Sequence, residues 1–275
     1  MIRREIQFPD TEPRWLLISQ VEHARLSAEL AERCIAKFGE QADSIVAPHE
    51  LDLLRTELLA AILHHDDGWA DWDDQRRIDP QHSRPTSFRE LSLDQSMPIW
   101  TASIEAAAHH GNLAGWVVAG HFLALLEASE KPHADYAVKA WQEAMQERQR
   151  TWLADWQADQ SAFHTAALAN ESLHCLQLFD VMSLWLCSAC PGAKELASNQ
   201  SKRYEFSVGE PLKTEFLYHP EQCRVIVDPW RFDVDCIAIG ANGWSLPVDE
   251  YHTDAELIAA CVPHTICWQL ESQQD

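Results

Sequence analysis

Positive charge is what this sequence has least of. Lys and Arg number 21 against 43 Asp and Glu, a formal net charge of −22 at pH 7. Such a chain repels phosphate backbones, which excludes non-specific nucleic-acid binding. Long apolar runs are missing as well. The longest, Gly115–Leu126, is too short for a bilayer span and contains His121, so no membrane contact is expected. The opening residues Met-Ile-Arg-Arg-Glu-Ile-Gln are too polar for a secretory signal, and the expected location is the cytoplasm. The eight Cys are dispersed, which in that compartment points to reduced thiols rather than a disulfide framework. Cys187 and Cys190 form one Cys-x-x-Cys with no second pair to complete a structural zinc site, so they read as helix-end thiols.

A hydrophobic content of 46% with 12 Trp in 275 residues is that of a globular protein, large enough for one domain or for a core plus a smaller module. The patterning predicts a mainly α fold: a helical bundle over residues 1–198, then a small antiparallel β module over 199–275 packed on it, α+β overall. A leader strand or arm ends at Pro13. Helices are expected over Trp15–Phe38, stopped by Gly39; from Pro48 to Gly68; over Ile99–His110; and from Leu113 to about Glu127. One long or two shorter helices follow over His133–Ala169, then a last helix capped by Asn170 or Ser172 and ending before Pro191. Short β-branched and aromatic runs, Tyr204–Val208, Thr214–Tyr218, Arg224–Val227, Cys236–Ile239 and His264–Leu270, make the β module. Asp254–Cys261 reads as a short helix within it.

The second helix carries the strongest chemical signal. Leu51, Leu54, Leu58 and Ile62 share one sector at about 100° per residue, and His65 falls in the middle of it. His64 points away, and Asp66 lies on the flank. An imidazole on an apolar stripe must be hydrogen-bonded, paired or metal-bound. His23 sits beside the stripe of the first helix with Gln20 one turn before it. His121 lies in a helix apolar almost all round, and Asp180 shares a stripe with Leu173, Leu176 and Leu184. A carboxylate on a core face is rarer than a buried histidine. His110 continues the stripe of its own short helix. Trp69–Ser96, about 28 residues, reads as a long loop of the kind that forms lids. Its Arg76, Arg77, Arg84 and Arg89 either recognise an anionic group or pair with neighbouring carboxylates such as Glu90.

In order, His23, His65-Asp66, His121 and Asp180 resemble the ligand series of the HD-domain superfamily of metal-dependent phosphohydrolases and its diiron oxygenase relatives. A closer likeness is carried by Gln20-Val-Glu-His23-Ala24, His65-Asp66-Asp67-Gly68-Trp69 with Trp72, Pro85-Thr-Ser-Phe88, His121, Asp180-Val-Met-Ser183-Leu184 and Asp228-Pro229-Trp230-Arg231-Phe232. These residues resemble the bacterial family called domain of unknown function 3891, whose name conveys no activity.

The HD resemblance implies an HD-like helical bundle and a divalent ion (Mn, Fe, Ni, Co or Zn) held by His23, His65, Asp66 and Asp180, with His121 on a second ion or on substrate. It implies Asp67 and His121 as catalytic groups, and Gln20 with the four loop arginines as contacts to a small anionic substrate. The expected reaction is hydrolysis of a small phosphorylated metabolite or nucleotide. A diiron oxygenase, which would need both His110 and His121, and a non-catalytic metal- or ligand-binding protein are the alternatives. A homodimer is compatible with the β module.

Overall fold

The computed structural model describes residues 1–34, 48–129, 135–159, 164–192, 201–207, 213–220 and 224–273. In chain order its elements are β1 (Ile2–Ile6), β2 (Arg14–Ile18), α1 (Gln20–Cys34), α2 (Pro48–His64), α3 (Ala70–Asp74), β3 (Ile78–Asp79), β4 (Arg84–Pro85), α4 (Leu93–Ala108), α5 (Asn112–Ala128), α6 (Tyr136–Asp159), α7 (Ala166–Ser188), β5 (Lys202–Ser207), β6 (Lys213–His219), β7 (Arg224–Asp228), β8 (Cys236–Pro247), α8 (Asp254–Ala260) and β9 (Val262–Ser272). The chain divides into two compact units.

The first unit comprises residues 1–26, 69–90 and 180–275. Its framework is a seven-stranded sheet in the order β1-β2-β8-β9-β7-β6-β5. Neighbours are antiparallel except β7 and β9, which run parallel. Buried and exposed residues alternate along β6, β7 and β9, the mark of strands with one covered face. Phe216, Val225, Ile237, Trp268 and Leu270 fill that face. A second cluster, Met1, Leu17, Leu246, Tyr251 and Leu257 with Trp72 and Ile78 against it, ties the first strands to α8 and to the β3-β4 hairpin.

The second unit comprises residues 27–68 and 91–179. Its axis is α5, buried continuously from Leu113 to Leu123, as its all-round apolarity predicts. Helices α2, α4 and α6 pack against it. Trp100 stacks on Phe122 at 5.3 Å, and Trp141 Nε1 donates to Thr101 Oγ1 at 2.9 Å.

The mainly α expectation is overturned. Strand makes up 24% of the structure and helix 55%, an α+β fold. The sheet is no small C-terminal module, because β1 and β2 bring the N-terminal residues into it. Trp15–Ile18, read above as the start of a helix, is β2, paired with β1 on one side and β8 on the other. Leu16, Leu17 and Ile18 are all buried, and a run covered on both faces has no period by which to tell strand from helix. The helix therefore begins at Gln20; its expected end at Phe38 and Gly39 lies outside the described residues.

Two further boundaries move. α4 starts at Leu93 rather than Ile99, because Ser92 and Gln95 form a capping box ahead of Pro98. α7 starts at Ala166, where Thr165 Oγ1 accepts from Leu168 N–H at 3.2 Å, leaving Asn170 and Ser172 inside it. The long loop also has structure of its own, in α3 and the β3-β4 hairpin. Trp69, edge-on to Trp72 at 5.6 Å and to Phe88 at 6.3 Å, holds it.

Candidate metal centre

Helix α2 ends one residue before His65. The last carbonyls of any helix lack intrahelical donors, and the His65 ring supplies one. Its Nδ1–H donates to Ile62 O at 2.7 Å. A carbonyl can only accept, so Nδ1 carries a proton; in the neutral ring that puts the lone pair on Nε2, the tautomer in which a histidine can bind metal through Nε2. Nε2 lies 3.6 Å from Asp66 Oδ2. The His121 ring from α5 stands edge-on to His65 at 5.6 Å. His65, Asp66 and His121 are all buried, as are Leu51, Leu54, Leu58 and Ile62 along the same helix face.

The turn carrying His65 and Asp66 is pressed onto α4 at Gly68. Gly68 N–H donates to Ser103 Oγ at 3.0 Å. A Cβ at Gly68 would fall 2.1 Å from Ile99 O and 2.7 Å from Ser103 N. Glycine is required here by close approach, although Gly68 does not itself terminate α2, which ends at His64.

His23 lies in the first turn of α1, where Ser19 Oγ accepts from Glu22 N–H at 3.0 Å. Its Nε2 is 3.0 Å from Asp180 Oδ1 on α7, and its Nδ1 is 2.6 Å from Ser183 Oγ. Ser183 Oγ is also 3.0 Å from Asp180 O. With a neutral ring, two proton arrangements satisfy this set. In one, Ser183 donates to Nδ1 and Nε2–H donates to Asp180. In the other, Nδ1–H donates to Ser183, whose own hydrogen goes to Asp180 O, and the Nε2 lone pair and the Asp180 carboxylate are left side by side for a cation.

In the second unit His65, Asp66 and His121, and in the first His23 and Asp180, are buried His and Asp groups of the kind that could hold a metal ion. The donor set fits a divalent ion. Adjacent ligands at ~2.0–2.2 Å from zinc stand about 3 to 3.5 Å apart, close to the His23–Asp180 and His65–Asp66 separations. Imidazole with carboxylate suits Mn, Fe, Co, Ni or Zn. The thiols do not compete: burial pushes the Cys187 thiol up to about 12 and raises Cys175 well above its ordinary value, and both are free cysteines.

The other residues singled out by the sequence fall as follows. Asp67 Oδ2 is 2.7 Å from His64 Nδ1, and His64 stacks flat on His110 at 4.3 Å. Neither Asp67 nor His110 is among the buried His and Asp groups that could hold a metal ion. Gln20 is buried; its N–H donates to Asp73 Oδ2 at 2.5 Å, and its Oε1 has no hydrogen-bond partner among the described residues. Arg84 Nη2 donates to Glu90 Oε1 at 2.9 Å. Arg76 lies over the Trp244 ring at 4.4 Å, Arg89 over Phe88 at 5.6 Å, and Arg77 contacts Gln75. Sequence reasoning missed Ser183 as a partner of His23, although its position three residues after Asp180, on the same helix face, is the signal that finds it. It also left His64 aside as outward-pointing, and so missed its pairing with Asp67.

Among the described residues no helix is long and apolar enough to cross a membrane. No curated protein and no solved structure matches the chain, so the likeness to HD-domain phosphohydrolases rests on ligand order alone. A family model described as "Protein of unknown function (DUF3891)" matches residues 1–247. That match includes every ligand candidate and extends through β8, and the chain belongs to the DUF3891 family.

Proposed function

We propose that this protein is a metal-dependent hydrolase of a small phosphorylated metabolite or nucleotide, with His23, His65, Asp66, His121 and Asp180 as the residues that hold the ion. The observation that carries this reading is the presence of buried His/Asp groups in each unit, His65, Asp66 and His121 in one and His23 with Asp180 in the other. Burying so many polar groups in a core is costly unless each is hydrogen-bonded, paired or bound to a metal. When bound, a divalent ion of this kind lowers the pKa of a coordinated water and polarises a phosphoryl oxygen.

The chain's own groups divide the remaining work. His65 is held by Ile62 O with Nε2 forward, and Ser183 takes the Nδ1 side of His23. Asp67, oriented through Oδ2 by His64, is the group to accept or return a proton at its other oxygen. Gln20 Oε1, buried and without a donor among the described residues, is an acceptor for a substrate hydroxyl or amino group. Arg76, Arg77 and Arg89 remain the cationic candidates for an anionic substrate, while Arg84 is engaged by Glu90. A diiron oxygenase calls on His110 as well as His121, and His110 is stacked against His64; no observation favours that reading.

The test is metal content per chain by plasma mass spectrometry on untagged protein purified without chelator, alongside Asp66→Ala and Asp180→Ala, followed by a screen of phosphate esters. About one equivalent of metal or more, lost in both variants with turnover, supports the proposal. A folded wild type that takes up no Mn, Fe, Ni, Co or Zn overturns it.

A further inference from the structure

The helical unit contains a cavity of about 490 Å³ whose lining includes Glu50 and Glu57 from α2, His110 and Asn112 from the α4–α5 turn, and Trp156 with His164. None of His23, His65, Asp66, His121 and Asp180 lines it. Its volume lies within the range of small-molecule sites, about 300–1,000 Å³. Two features give it chemical character.

The first is a carboxylate placed by the fold. Glu57 Oε1 accepts from Leu113 N–H at 2.8 Å and Ala114 N–H at 3.2 Å, the opening N–H groups of α5. Gly111, with φ +150°, makes room for it, since a Cβ there would lie 1.9 Å from that oxygen. Oε1 is thereby committed, and Oε2 makes no hydrogen bond among the described residues. The second feature is a flat aromatic plate. Trp156 and His164 stack at 4.1 Å with 7° between their planes, and His164 Nδ1–H is fixed on Trp156 O at 2.7 Å.

Around these stand a second carboxylate, Glu50, and the apolar Leu53, Leu54 and Ala60; none of the lining residues is Lys or Arg. The lining imidazoles, His49, His110 and His164, are the cavity's only basic groups, so an anion finds no permanently charged partner there. A flat cation with N–H groups on its edge finds a carboxylate oxygen for a charge-assisted hydrogen bond and a ring face for its plane.

We infer that this cavity is a second ligand site, for a small planar nitrogen cation of the amidinium, guanidinium or protonated aminoheterocycle class, gripped at its N–H edge by Glu57 and on its face by Trp156. The inference does not depend on the metal-centre reading, because it is tested by binding alone.

Benzamidine is the probe, titrated into the full chain by calorimetry and by Trp fluorescence, with benzamide as the neutral isostere and benzoate as the anion. The expected result is saturable binding of benzamidine at one equivalent, at least tenfold tighter than benzamide or benzoate. Glu57→Gln, whose side-chain oxygen can still accept from α5, should weaken it at least tenfold while circular dichroism stays as in wild type. Glu50→Gln and Trp156→Leu, each checked for fold in the same way, should each weaken it severalfold. No saturation up to 10 mM, equal binding of benzamide or benzoate, or unchanged affinity in both Glu57→Gln and Trp156→Leu would overturn the assignment.

Discussion

Gly68→Ala is the sharpest test of how the His65-Asp66 turn is held. The added Cβ would sit 2.1 Å from Ile99 O and 2.7 Å from Ser103 N, both main-chain atoms of α4, so no side-chain rotation relieves the clash. The turn must back away by about 1 Å to restore ordinary contact. Overpacking of this kind costs about 1–3 kcal/mol. The Gly68 N–H···Ser103 Oγ bond stretches past its useful range, adding about 0.5–1.5 kcal/mol, the net worth of such a bond. Stiffening of the unfolded chain by alanine returns roughly 0.4–1 kcal/mol. The net loss is about 0.5–4 kcal/mol, near 2 at the middle of each range, which for a chain of this size lowers Tm by roughly 2–4 °C per kcal/mol. Because a 1 Å displacement is enough to spoil a ligand constellation, metal affinity should fall in the same variant. Thermal melts followed by circular dichroism, with and without added Mn or Zn, measure both effects. A Gly68→Ala protein that melts within 1 °C of wild type would refute the close-approach reasoning, whatever its metal content.

Two further outcomes follow from the geometry. Ser183→Ala removes the hydroxyl placed at His23 Nδ1, and loss of such an orienting partner lowers metal affinity by about 10–100-fold; competition with a chelator of known affinity reads this directly, and an unchanged affinity would place Ser183 outside the centre's support. For Glu57, burial raises the carboxyl pKa above its ordinary value against the lowering pull of the Ala114 and Leu113 N–H groups and of His164. A raised carboxyl pKa favours the folded state on the acid side, so wild type should gain stability relative to Glu57→Gln as pH falls from 7 through the folded pKa, the difference levelling off below about 4.5. Urea melts of the pair across that range check the sign, and a difference that shrinks on acidification contradicts it.

The sequence alone determined which faces are inward. Four apolar residues at helical spacing put His65 in the core, the all-round apolarity of Asn112–Ala128 made it central, and the stripe through Asp180 buried a carboxylate. Short β-branched and aromatic runs, whose alternation the structure then displays, likewise revealed β6, β7 and β9. These follow from local periodicity, because the solvent boundary prints itself on the chain at 3.6 or 2 residues per repeat. What only tertiary structure decided is where that record is silent or ambiguous. Trp15–Ile18 became a strand because β1 and β8 lie on either side to take its backbone hydrogen bonds, and a run buried on both faces carries no period to announce it. Ser183 and Ile62 O acquired meaning only when a ring nitrogen arrived beside each. Gly68 and Gly111 read as helix punctuation in one dimension. In three, each is a gap left for a neighbour, the backbone of α4 in one case and the carboxylate of Glu57 in the other, and a gap is a property of two surfaces that no single stretch of sequence contains.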